Sequence, residues 1–144
     1  MSDCSFCAVA AGAEAAHVVY EDEATIAFLD KRPLFHGHTL LIPREHYVTL
    51  ADLPEELVGP LFANAQLLSV AVVEAMGAVG SFVALNNIVS QSVPHLHVHI
   101  VPRRPKDGLR GFFWPRTKYE DEAEMRAVAA QVREFAEGLA AQRQ

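Results

Sequence analysis

The chain has 144 residues, 51% hydrophobic and 21% charged, with a formal net charge of −6. This fits one domain with a sizeable core and excludes a disordered chain. The negative charge speaks against a general nucleic-acid coat, so no nucleic-acid partner is expected. The N-terminus has neither a basic n-region nor an apolar h-region, so no signal peptide is expected. The longest apolar stretch, Leu57 to Met76, is broken by Pro60, Asn64, Gln66, Ser69 and Glu74, which argues against a membrane span. The default compartment is the cytoplasm.

The first motif is Cys4-Ser5-Phe6-Cys7. A C-x-x-C pair reads as half a metal site or as a redox couple. The redox reading needs a βαβ context, which is not evident here. A metal site needs two more ligands, and seven histidines are available. Cys7 to Ala11 fits a short helical turn ending at Gly12. His17–Glu21 and Thr25–Leu29 read as two strands, rich in β-formers, with a turn at Glu21-Asp22-Glu23. Asp30 ends the second strand. Gly37 permits a bend before a third strand, Thr39 to Ile42, with His38 and His46 at its ends.

Asp52-Leu53-Pro54-Glu55 has the spacing of a capping box. Leu57, Leu61, Ala65, Leu68, Val72 and Met76 then recur at helical spacing, up to a stop at Gly77. Gly59-Pro60 predicts a kink, or a turn followed by a fresh helix from Pro60. Ser81–Asn86 reads as a strand, and Asn87–Ser92 as a short polar connection.

Next comes Pro94-His95-Leu96-His97-Val98-His99-Ile100-Val101-Pro102. Alternation with period two predicts a strand with its three histidines on one face and Leu96, Val98 and Ile100 in a core. At ~3.3 Å per residue, His95 and His99 lie roughly 13 Å apart and cannot share one metal. A metal site therefore explains at most two of the three. Residues 103–118 carry six basic residues against Asp107 alone, interleaved with Phe112, Phe113 and Trp114. A closing helix takes Met125, Val128, Val132, Phe135 and Leu139 as its apolar stripe.

The sequence H-L-H-V-H-I-V followed by Pro-Arg resembles the histidine triad (HIT) superfamily, in its bacterial zinc-containing type. The resemblance also takes in Cys-x-Phe-Cys, Phe28-Leu29-Asp30, Gly37-His38-Thr39-Leu40 with Ile42-Pro43, and Gln91-Ser92-Val93. It runs from about Cys4 to Arg103. It implies an α+β fold: about five antiparallel strands, one long central helix and a C-terminal helix. Residues 1–144 would form a single domain, with a core at about 4–103 and a variable segment at 104–144.

By this resemblance His97 is the nucleophile. It attacks the α-phosphorus of a nucleoside 5′-phosphate derivative to form a nucleotidyl-histidine, which water or another acceptor resolves. His99, Gln91 and Ser92 would donate to the phosphoryl oxygens. His38 would support the triad, Asp30 would bind ribose, and Asn86 would belong to the substrate site. Cys4, Cys7, His46 and His95 would hold a structural zinc ion. The implied partners are a nucleotide, purine by expectation, and a second copy of the chain. Alternatives are a dinucleoside polyphosphate hydrolase and a non-catalytic nucleotide-binding module. Ser90, where the family usually has glycine, and His36, where proline is frequent, depart from the pattern.

Overall fold

The computed structural model describes residues 3–109 and 116–143. They fall in two compact units, Met1–Asp107 and Gly108–Gln144, each taken here by itself. In chain order the first unit holds α1 (Ser5–Ala10), β1 (Val18–Glu21), β2 (Thr25–Leu29) and β3 (Thr39–Pro43). A 3-10 turn (Leu50–Asp52), α2 (Glu55–Met76), β4 (Gly80–Ala84) and β5 (Val98–Arg103) complete it. The five strands form one sheet in the order β1-β2-β3-β5-β4, every neighbouring pair antiparallel.

The strand side chains alternate between two cores, as a period-two backbone requires. Ala27, Leu41, Val98 and Ile100 pack with Leu61, Ala65, Leu68 and Val72 of α2. Ile26, Phe28, Leu40 and Ile42 face the other way and pack with Phe6 and Val9 of α1. The long helix thus covers one face of the sheet and the short helix the other. By length and composition α2 is apolar enough to cross a membrane. Its Asn64, however, is buried against the sheet and donates to Asp22 Oδ2 and Thr25 Oγ1 at 2.7 and 2.8 Å. Burial would push the Asp22 carboxyl up, but hydrogen bonds from Asn64, Thr25 and Ala24 outweigh it and hold the group below its usual range.

Two local expectations are corrected, and one alternative of a third is ruled out. Asp52 does not cap α2: its carboxylate accepts from the Thr49 N–H and Oγ1, closing the preceding 3-10 turn. Pro54 is the N-cap of α2, with no side-chain cap bond. The helix also runs through Pro60 without a fresh start. The carbonyl left without a donor by that proline belongs to exposed Glu56, where water can satisfy it. Finally, β5 begins at Val98, not before His95. The carbonyls of Pro43 and His95, which a longer ladder would use, instead face imidazole nitrogens. Gly77 ends α2 in the left-handed conformation, as predicted.

In the second unit, α3 (Glu122–Gln142) is capped by the Asp121 carboxylate, which accepts from the Glu124 N–H at 2.8 Å. Its predicted stripe is present, with Met125, Val132, Phe135 and Leu139 exposed. Arg110, Phe112, Phe113 and Trp114 of the basic, aromatic segment lie outside the described residues.

Candidate active site and metal centre

His95, His97 and His99 share the α1 face of the sheet, at and just before the start of β5. Phe6, held between the two cysteines by α1, meets the His97 ring edge-on at 5.1 Å and that of His95 at 6.0 Å. The His97 and His99 rings lie 5.0 Å apart. His95 and His97 are 0% and 3% exposed, so the backbone around them decides which nitrogens carry protons.

A carbonyl only accepts, so each contact to one fixes a proton. His97 Nδ1–H donates to the His95 carbonyl at 2.7 Å, which leaves Nε2 of the neutral ring with a free lone pair. His95 Nε2–H donates to the Pro43 carbonyl at 2.9 Å, and its lone pair is therefore on Nδ1. The Leu34 N–H donates to His38 Nδ1 at 3.0 Å. His38 Nε2–H then donates to His99 Nδ1, also at 3.0 Å. The His99 proton is thereby placed on Nε2, where it is a donor. Gly37 makes the bend that presents His38: its φ is +97°, and a Cβ there would come within 2.6 Å of the Met76 side chain.

This relay requires neutral rings. Burial pushes His99 down to about 4, helped by repulsion from His97 and His38. Burial lowers His38 as well, against the pull of the Asp30 carboxylate, whose Oδ2 is 3.7 Å away. Asp30, His38 and His99 lie close enough together to suggest a metal site. The 3.0 Å between the two rings is a hydrogen bond, shorter than the ~3.3 Å separating two nitrogens on one tetrahedral zinc ion. We read the group as a proton-fixing chain.

The second cluster is of a different kind. His95 Nδ1 lies 3.4 Å from Cys4 Sγ and 3.5 Å from Cys7 Sγ. His46 Nδ1 lies 3.3 Å from Cys7 Sγ. All four ligand atoms fall within 4.8 Å of one another. Tetrahedral zinc with Zn–S ≈ 2.3 Å and Zn–N ≈ 2.0 Å separates sulfur from nitrogen by ~3.5 Å. The donor set and spacing fit zinc, and the Pro43 carbonyl already orients one imidazole. Burial, then the neighbouring Cys4 thiol, pushes the Cys7 thiol up. A bound divalent cation reverses that by deprotonating the ligand thiols.

A cleft of about 680 Å³ opens on the histidine face, a size suited to a small-molecule ligand. Ser92, His97, His99 and Asp30 line it, with the Asp30 carboxylate within 4.8 Å of the His99 ring nitrogen. Phe6, Val9, Phe28, Glu14 and His17 are among the remaining walls. His38 stands behind His99. Asn86 and Gln91 are not brought to the cleft wall. Gln91 Nε2 donates to the Val48 carbonyl at 2.6 Å while its Oε1 accepts from the Ile88 N–H at 3.0 Å. Asn86 Nδ2 donates to the Ser90 carbonyl at 3.2 Å. These side chains shape the connection that presents Ser92. Sequence reasoning missed the Leu34 N–H and the Pro43 carbonyl, because backbone groups leave no trace in residue identity. It also passed over Phe6, whose position inside the C-x-x-C was the available signal.

Comparison with known proteins places this geometry in context. A family model described as "HIT domain" matches residues 11–106. Adenylylsulfatase HINT3 of Arabidopsis thaliana is 37% identical over 110 residues, covering 75% of this chain. The chain spans only 56% of that plant protein's length. A crystal structure from Streptococcus mutans superposes with a TM-score of 0.84 at 32% identity, covering 94% of this chain and 87% of that one. A zinc-bound histidine triad family protein from Mycobacterium smegmatis gives 0.72 at 37% identity, covering 93% and 98%.

Proposed function

Because the chain belongs to the HIT domain family, we propose that it is a nucleotide hydrolase or transferase that cleaves at the α-phosphate through a nucleotidyl-histidine on His97. The observation that carries this reading is the opposed pair of tautomers. His97 presents a lone pair on Nε2, and His99 presents a proton on Nε2, both at the cleft. A nucleophile beside a preorganised donor is the arrangement that phosphoryl transfer needs.

In the proposed reaction His97 Nε2 attacks the α-phosphorus and the bond to the leaving group breaks. His99 Nε2–H and the Ser92 hydroxyl donate to the phosphoryl oxygens as charge builds there. Asp30 accepts from the ribose hydroxyls. Water then attacks phosphorus, the P–N bond breaks, and the nucleoside monophosphate leaves with His97 restored. Gln91 enters as the clamp on the Ser92 connection. Cys4, Cys7, His46 and His95 would hold zinc, whose chemistry there is structural: a closed Cys2His2 set ties α1 to the sheet behind the triad.

The test is turnover of a panel of adenosine and guanosine 5′-phosphoramidates, adenosine phosphosulfate and diadenosine polyphosphates. Release of nucleoside monophosphate from at least one supports the reading. Tight nucleotide binding with no turnover of any would favour the non-catalytic alternative.

A further inference from the structure

Among the residues lining the cleft is a carboxylate, that of Glu14, which the proposed chemistry does not use. With phosphate at His97, His99 and Ser92, and ribose at Asp30, a bound nucleotide has only the base left to place. The lining that remains includes the apolar Phe6, Val9 and Phe28, the basic Lys31 and Arg32, His17, and one further carboxylate, that of Glu14. Flat apolar walls suit a purine ring, and a carboxylate at its edge reads its donors.

Glu14 is held in place by the backbone. Gly12, at φ +77°, turns the chain back from α1. The N–H groups of Ala13 and Glu14 then both donate to the Ala8 carbonyl, at 2.8 and 3.2 Å. On the far side, the Leu29 N–H donates to the His17 carbonyl at 3.0 Å and ties the segment to β2. The Glu14 side chain is only 38% exposed. Its ion-pair partner among the described residues is Lys31, with Nζ at 3.8 Å and 79% exposure. That separation is too long for a hydrogen bond, so both carboxylate oxygens keep their capacity to accept.

We infer that Glu14 selects guanine nucleotides over adenine nucleotides at this site. Guanine offers two adjacent donors, N1–H and the 2-amino group, and one carboxylate accepts both. Adenine offers the 6-amino group, but its N1 is an acceptor and repels the second oxygen. This inference rests on the nucleotide reading proposed above and names its substrate class.

The test is equilibrium titration of the full chain, purified without chelator, with guanosine, inosine and adenosine 5′-monophosphates. A bidentate base contact predicts about tenfold or more tighter binding of the guanosine nucleotide. Inosine, which lacks the 2-amino group, falls between the two. Glu14→Leu removes the preference, and Glu14→Gln, with one acceptor left, narrows it. In turnover the same substitutions raise KM for guanosine substrates and leave kcat unchanged, since the base contact is equal in ground and transition states. Equal binding of the guanosine and adenosine nucleotides, or a guanosine preference that survives Glu14→Leu, overturns the inference. Guanosine selectivity without turnover of any substrate leaves it standing and sinks the hydrolase reading.

Discussion

The His97 Nδ1–H donates to the carbonyl of His95, two residues back in the same segment, at 2.7 Å. One histidine's backbone thus fixes which nitrogen its neighbour can use for attack. His95 itself is unsuited to the role, because its Nδ1 faces two sulfurs and its Nε2–H is spent on Pro43. His97→Ala should therefore lower turnover on the order of a thousandfold or more, while nucleotide affinity changes little. Label from an α-phosphate-labelled substrate should be trapped on the wild-type protein and absent from His97→Ala. Label persisting on the variant would contradict the assignment.

His99 gives a pH dependence whose sign follows from its depressed folded value. Its ordinary value is 6.5, and burial brings it to about 4. Between those values the unfolded chain holds more protons than the folded one, so stability falls as pH drops from 6.5 toward 4. Protonation would also place a hydrogen on Nδ1 against the His38 Nε2–H. His99→Gln should flatten the stability–pH curve across this window, measured by urea midpoints. It should also slow turnover less severely than His97→Ala.

The Cys4, Cys7, His46 and His95 cluster predicts one zinc ion per chain in protein purified without chelator, measured by elemental analysis. Cys7→Ser should lower the melting temperature and lose the metal, because structural zinc binding energy is folding energy. A metal-free wild type with unchanged melting temperature and full activity would count against the site.

Ile88 and Ser90 have φ of 70° and 63°, the left-handed region that L side chains avoid. Both lie in the connection that delivers Ser92. Ser90→Gly relieves one strained position, offset in part by glycine's greater freedom in the unfolded chain. The net expectation is stabilisation of about 0.5–1 kcal/mol, read from denaturant midpoints. Ser90→Ala should give no such gain.

Helix α2 buries Leu61, Ala65, Leu68 and Val72 on the sheet, yet leaves Phe62, Leu67 and Val70 at 39%, 43% and 58% exposure. The edge strand β4 adds Val83 at 41%. Such a patch predicts a two-fold homodimer. Light scattering at micromolar concentration should give twice the chain mass, and Val70→Glu should shift it toward the monomer. A monomeric wild type would sink this prediction.

The local sequence determined much of this protein. β-former content at Thr25–Leu29 and Thr39–Ile42 marked two strands, and period-two alternation from His95 to Ile100 marked which side chains share a face, although the strand itself begins only at Val98. Helical spacing from Leu57 to Met76 marked the face of α2 that packs on the sheet, and Gly77 marked its end. What only the tertiary structure decided is how residues distant in the chain fix each other's protons. His46 and His95 approach Cys4 and Cys7 only because β3 and β5 are neighbours in the sheet. The tautomers of His38, His95, His97 and His99 depend on the Leu34 N–H and the carbonyls of Pro43 and His95, groups that every residue carries and no motif can display. For the same reason, nothing in the sequence pairs Gln91 with the Val48 carbonyl, to which its Nε2 donates in the fold. A side chain's chemistry is written in its identity, but its partner is chosen by whichever backbone the fold brings within ~3 Å.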